Sequence, residues 1–205
     1  DDLHMRHSCE AALDMMVELK ALNAERRQEA EDAGVEFMQI NVGVGINTGE
    51  CVVGNMGSQQ RFDYSVLGDA VNTAARLEGQ SKNYGVTIIL GPDTAESVND
   101  EFATLEIDLI TVKGKTEAVA IYALLGGPDR GNLPEFKALK EKHNQFTTAY
   151  YAQEWDKAET IMAECAKMAD GELDELYEIF TDRIIEFRAD PPGADWDGVY
   201  VAETK

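Results

Sequence analysis

The chain is short of positive charge, of cysteine and histidine, and of long apolar runs, and each shortage removes a class of function. Lysine and arginine number 18 against 39 aspartates and glutamates, a formal net charge of −21 over 205 residues. A field of that sign repels nucleic acid and anionic lipid, so no nucleic-acid partner and no direct membrane contact are expected. The three cysteines, Cys9, Cys51 and Cys165, are odd in number and far apart, with no CxxC or Cys/His spacing that suggests zinc. Reduced thiols in a cytosolic compartment are the expectation. His4 and His7 are too isolated to suggest metal ligands. No run of about 18 apolar residues offers a membrane span, and residues 1–20 carry Asp, His, Glu and Arg throughout, unlike a signal peptide.

What is present is organised around residues 40–77. Val42, Val44 and Ile46 alternate with Asn41, Gly43, Gly45 and Asn47, a period of two that marks a strand with one packed face and one nearly bare face. A bare glycine face lets another backbone or a ligand come close. A turn at Thr48-Gly49 leads to a second strand near residues 50–55. A polar loop, Ser58-Gln59-Gln60-Arg61, and the short run Tyr64–Leu67 follow. After Gly68 the spacing predicts a helix over 69–82, with Asp69 as its cap and Val71, Ala74, Ala75 and Leu77 as its packed stripe. Asn72 and Arg76 stand four apart on one face of that helix. Their donors suit phosphate oxygens, which a guanidinium matches with a bidentate fork, although spacing alone equally allows a first-turn residue and a solvated charge.

The strings NVGVGINTGECVVGNMG, YSVLGDAVNTAARLE and VKGKTEAVAIYAL, in that order, resemble the class III nucleotidyl cyclases, the adenylyl and guanylyl cyclases, in their bacterial form. The likeness covers roughly residues 1–125. It implies an α+β, ferredoxin-like cyclase domain that works as a head-to-tail homodimer, with this chain supplying its C-terminal portion. It also implies that Asn72 and Arg76 orient ribose and triphosphate and stabilise the transition state. Ser65 would face the base, and Lys115, or failing it Lys113, would lie near the phosphates. Adenylyl cyclases place Asp or Thr at the Ser65 position and guanylyl cyclases tend towards Cys. A serine resembles Thr most closely, which favours ATP and leaves GTP as the alternative. In a chain this acidic, a triphosphate site needs metal ions and a local basic patch.

The resemblance further implies two Mg2+ or Mn2+ ions held by a pair of aspartates that precede the first helix of this chain. Asp1 and Asp2 are not assigned that role. No metal ligand is therefore expected here, and residues 1–205 alone are expected to be inactive. The intact protein is expected to be an adenylate cyclase. The alternative from another class is a non-catalytic, nucleotide-binding dimerisation module.

The remaining cyclase elements are expected as a helix over 3–30, strands at 40–47, 86–90, 102–113 and 118–125, and a short helix over 92–98 opened by Pro92. Lys113-Gly114-Lys115 reads as a hairpin turn. Gly126-Gly127-Pro128 begins a linker over 126–133. Residues 134–205 then read as a helical extension with segments at 136–151, 158–168 and 173–187. The first two look like one tetratricopeptide-type hairpin, which cannot bury its own stripe. Leu176, Ile179, Phe180, Ile184 and Phe187 supply the stripe of the third, and Trp196, Val199 and Tyr200 are expected to fold back. The extension and its Asp-Trp-Asp-Gly ending resemble those of bacterial membrane-tethered sensor cyclases with CHASE2 domains, which implies a cytoplasmic domain of an inner-membrane sensor protein.

Overall fold

The computed structural model describes residues 3–58, 61–111 and 118–199. Helix α1 (His4–Ala33) leads to strand β1 (Val44–Ile46), hairpin strands β2 (Val52–Ser58) and β3 (Arg61–Leu67), and helix α2 (Asp69–Tyr84). Strand β4 (Ile88–Leu90), helix α3 (Pro92–Val98) and strands β5 (Ala103–Thr111) and β6 (Ala118–Gly126) complete the mixed α/β part. A helical extension follows: α4 (Pro128–Gly131), α5 (Pro134–Tyr151), α6 (Trp155–Ala169) and α7 (Asp174–Ala189). This is the expected fold class, an α+β cyclase-like part followed by an all-helical extension.

The main sheet has the order β1-β4-β6-β5, with β1 parallel to β4 and the other pairs antiparallel. Side-chain alternation along β4 divides the interior in two. Ile88 and Leu90 face a cluster with Cys9 and Ala12 of α1, and with Ala95 and Val98 of α3. Ile89 faces the other way, into a cluster that joins Leu77 and Tyr84 of α2 to Leu105 and Ile107 of β5, Phe146 and Tyr150 of α5, and Phe180 and Ile184 of α7. The extension therefore shares one core with the sheet and with α2. Each such buried side chain is worth about 1.5–3 kcal/mol.

The segment expected as a linker makes defined contacts on both sides. Pro128–Gly131 forms a helical turn, and Arg130 donates to the Leu125 carbonyl at 2.6 Å, pairs with Glu172 and lies over the Phe136 ring. The expected breaks in the extension fall within three residues of the observed ones. Trp155, which lies between the expected segments 136–151 and 158–168, opens α6. It stacks on Phe187, and Trp196 folds back against Tyr150, Trp155 and Phe187. Tyr200 lies outside the described residues.

Two strands are shorter than their apolar runs predict, 44–46 instead of 40–47 and 88–90 instead of 86–90. Only the stretch in which β1 and β4 face each other forms a ladder, from Val44↔Ile88 to Ile46↔Leu90. No helix among the described residues is long and apolar enough to cross a membrane. Cys9 and Cys165 are buried, and burial pushes each thiol up to about 11; Cys51 is exposed.

Candidate active site

The bare glycine face of β1 is used by a backbone. A Cβ on Gly45 would stand 2.1 Å from the Ala74 carbonyl oxygen and 2.4 Å from the Glu78 nitrogen, so only glycine allows α2 to lie this close to the strand. That contact sets the height of α2 over the sheet. The stripe that α2 buries is Thr73, Leu77, Ser81 and Tyr84, which corrects the expected one: Val71 and Ala74 are half-buried and Ala75 is exposed. Small and hydroxyl side chains fill the close-packed positions, where apolarity alone is a poor guide.

Asp69 is not the cap. Gly68 holds that position, and Asp69 falls in the first turn, where its charge favours the positive helix end. With this start, Asn72 lies in the first turn and Arg76 one turn further, on the flank of the helix beside the buried Thr73 and Leu77. Asn72 is exposed and Arg76 half-buried. Among the described residues neither side chain has a hydrogen-bond or ionic partner of its own. Two neighbouring sets of N–H donors are thus presented together with their capacity unspent, an arrangement suited to the oxygens of a phosphate or a sugar.

Ser65 occupies a different element. Among the described residues hairpin β2–β3 pairs only with itself, and Ser65 sits opposite Gly54, where the missing side chain leaves open space. Its hydroxyl donates to the Asp63 carbonyl at 3.3 Å. Strand β3 runs into α2 through Gly68 alone, so Ser65 and Asn72 flank one junction, but no hydrogen bond joins Ser65 to Asn72 or Arg76. The hairpin is poorly covered: Val52 is 67% exposed and Tyr64 78%. Lys113 and Lys115 lie outside the described residues. A cleft of about 350 Å3 at the same end of α2 is lined by Asn47, Thr48, Asp69, Thr73 and Asp93. Asn47 ties it together by donating to the Ala70 carbonyl at 3.1 Å.

Class III cyclases use divalent metal ions, but among the described residues no group of three or more His, Cys, Asp or Glu side chains is placed to hold an ion. The described residues therefore do not fit a metal centre.

A buried polar network escaped the sequence reading. Asp108 of β5, with no exposed surface, accepts from the Tyr84 hydroxyl at 2.5 Å and from Arg183 Nη1 of α7 at 2.7 Å. Burial alone would push the guanidinium down; Asp108, with Tyr84, more than reverses this and raises it. Nearby, His143 Nε2 donates to the Glu106 carbonyl at 2.7 Å and Nδ1 accepts from the Tyr177 hydroxyl at 3.1 Å. The signal was visible in part: Asp108 interrupts an apolar strand run, and Arg183 falls on the apolar stripe of α7, between Phe180 and Phe187.

Residues 1–126 match the family of the adenylate and guanylate cyclase catalytic domain. The chain is similar to the terminal-differentiation-specific adenylate cyclase of Dictyostelium discoideum, with 42% identity over 98 residues, 46% of this chain and 5% of that protein. It is similar to an adenylate cyclase of Anabaena cylindrica, with 37% identity over 125 residues, 60% of this chain and 24% of that one. Among solved structures, the guanylyl cyclase Cya2 is 29% identical with a TM-score of 0.48, covering 63% of this chain and 61% of that one. The chain spans a quarter or less of the curated relatives named here.

Proposed function

Since this chain belongs to the family of adenylate and guanylate cyclase catalytic domains, we propose that it supplies the Asn/Arg side of a site that converts ATP to 3′,5′-cyclic AMP and pyrophosphate. The ribose 3′ oxygen forms a bond to the α-phosphorus as the bond from that phosphorus to the pyrophosphate oxygen breaks, and the hydroxyl proton passes to solvent. Arg76 lays its fork on the phosphate oxygens as charge shifts towards the leaving group, a place where a preorganised donor is worth most. Asn72, one turn nearer the helix start, holds the ribose so that its hydroxyl lies in line. The Ser65 hydroxyl accepts from the adenine amino group, and Lys115 adds positive charge near the phosphates.

The observation that carries this reading is the pair Asn72 and Arg76, one turn apart on α2 and, among the described residues, with no partner of their own, in a chain of net charge −21. An arginine so placed suits an anionic ligand. The divalent ions that such chemistry uses would take their ligands from outside residues 1–205. The uncovered apolar side chains of the β2–β3 hairpin suit a second copy of the chain packed head to tail, with the site between the two. The helical extension resembles that of membrane-tethered sensor cyclases, and the chain is read as the cytoplasmic part of such a protein.

The test is cyclic nucleotide formation by the intact protein with ATP or GTP and Mg2+ or Mn2+. Cyclic AMP should dominate, and Arg76→Ala and Asn72→Ala should each lower kcat by about 100-fold with much smaller changes in KM. Cyclic GMP as the main product would move the assignment to guanylate cyclase. Turnover of Arg76→Ala within about twofold of the parent would remove that residue from the transition state, since loss of one such donor costs about 100-fold.

A further inference from the structure

The helix that carries Asn72 and Arg76 ends inside the helical extension. Its last residue, Tyr84, is 4% exposed, and its hydroxyl donates to Asp108 while accepting from Arg183 Nη2 at 3.3 Å. Asp108 owes its aim to an irregularity in β5. The register passes from Glu106↔Tyr122 to Asp108↔Ile121, so Ile107 is an extra residue on this strand, and a bulge of this kind re-aims the side chain beside it. The second carboxylate oxygen of Asp108 accepts from the Leu109 amide at 2.8 Å. One carboxylate thus joins α2, β5 and α7.

A second grip lies one residue on. Gly85 closes α2 at φ +64°, and a Cβ there would stand 2.5 Å from Cβ of Glu175 in α7. The end of α2 is therefore fixed by contact with α7 and by directed hydrogen bonds with β5 and α7.

We propose that Arg183 is a positioning residue for the cyclase site, setting the rotation and axial register of α2 through Asp108 and Tyr84. This rests on the reading that Asn72 and Arg76 serve cyclisation. The contact at Gly45 fixes how near α2 lies to the sheet, but a helix resting on a bare strand can still turn or slide. A directional clamp at one end prevents both. Tyr84 lies about 12 Å along the axis from Arg76 at ~1.5 Å per residue, so the rotation set at the clamp is carried rigidly to the donors. Well-packed apolar side chains would hold the same elements together at equal or better stability, which leaves orientation as the distinctive contribution of the ionic network.

The experiment exchanges the pair together, Asp108→Leu with Arg183→Met, in the intact protein. Melting temperature, kcat, KM and amide hydrogen exchange over residues 69–84 are read on the same samples. Melting at or above the parent's temperature is expected, because the pair is replaced by apolar volume. The KM should stay within about twofold while kcat falls about tenfold or more, the pattern of misplaced groups rather than lost binding. Exchange over 69–76 should quicken. A folded double variant with parental kcat and parental exchange overturns the proposal. Should the double variant not fold, Tyr84→Phe removes only the hydroxyl and is held to the same two readouts. If the parent itself makes no cyclic nucleotide, the cyclase reading fails, and exchange over 69–76 decides positioning by itself.

Discussion

Acid should loosen the seat of the helical extension through one residue, His143. Its ring is wholly buried between β5 and α7, with Nε2 donating to the Glu106 carbonyl and Nδ1 accepting from the Tyr177 hydroxyl. A proton added at Nδ1 would meet a hydroxyl already donating, on a ring with no exposed surface. Burial lowers its pKa from 6.5 to about 4, with the Glu106 carbonyl working weakly the other way. The folded value lies below the unfolded one, so the unfolded chain takes up the proton first. The stability contribution is therefore complete above pH 6.5 and lost as the pH falls towards 4. Between pH 7 and pH 5 the loss is about 2 kcal/mol, and below pH 4 it approaches about 3 kcal/mol. The assay is urea unfolding at pH 7 and pH 5 for the parent and for His143→Gln, whose amide can serve both partners without titrating. The parent should lose about 2 kcal/mol more than the variant over that interval. The Glu106 carboxyl, pushed up by burial, acts in the opposite sense but is common to both proteins and cancels in the difference. Equal losses in the two proteins would refute the assignment of a neutral, two-partner imidazole.

Further outcomes follow from the same geometry. Purified residues 1–205 supplied with ATP and Mn2+ should form no cyclic AMP above background, since among the described residues no group of three or more His, Cys, Asp or Glu side chains is placed to hold an ion; turnover by a preparation free of longer protein would sink that expectation. Gly45→Val should destabilise by about 3 kcal/mol or more, because its Cβ would be driven into the Ala74 carbonyl, and a parental melting temperature would show that α2 can move aside. Trp196→Ala opens the aromatic cap over Tyr150, Trp155 and Phe187 and should cost about 3 kcal/mol, read as a lower urea midpoint; no change would mean the fold-back carries no load.

Much of this arrangement could be read from residue spacing, and what could not has a common cause. Helix α3 occupies the residues expected of it because Pro92 fixes the start and Asn99-Asp100 follows the end. Helices α5 to α7 follow apolar spacing that their interior positions obey. The close approach at Gly43 and Gly45 was legible as a bare face, although not which backbone would fill it. Thr73, Ser81, Asp108, His143 and Arg183 were not legible as core, because a polar side chain reads as exposed until its partner is known. The partners lie as much as 99 residues away, beyond any periodicity. For the same reason the stripe on α7 showed that something covers it, but not that the cover is the sheet face beside α2. Asn72 and Arg76 stood out through their motif, whereas the exposure of the β2–β3 hairpin depends on which strands pair, and alternation alone does not determine pairing.

The core shared by α2, β5 and α7 also sets an order of events during synthesis. Tyr84 and Arg183 are separated by 99 residues, so at about 5–20 residues per second the ribosome needs roughly 5–20 s between them. In the later part of that interval, once Ile121 has followed Leu77, Leu105 and Ile107 out, the apolar face they form with one another has emerged while its α7 cover has not. The nascent sheet must wait half-bare, and holdase chaperones that bind such faces should be found on ribosomes carrying this chain until α7 has cleared the exit tunnel.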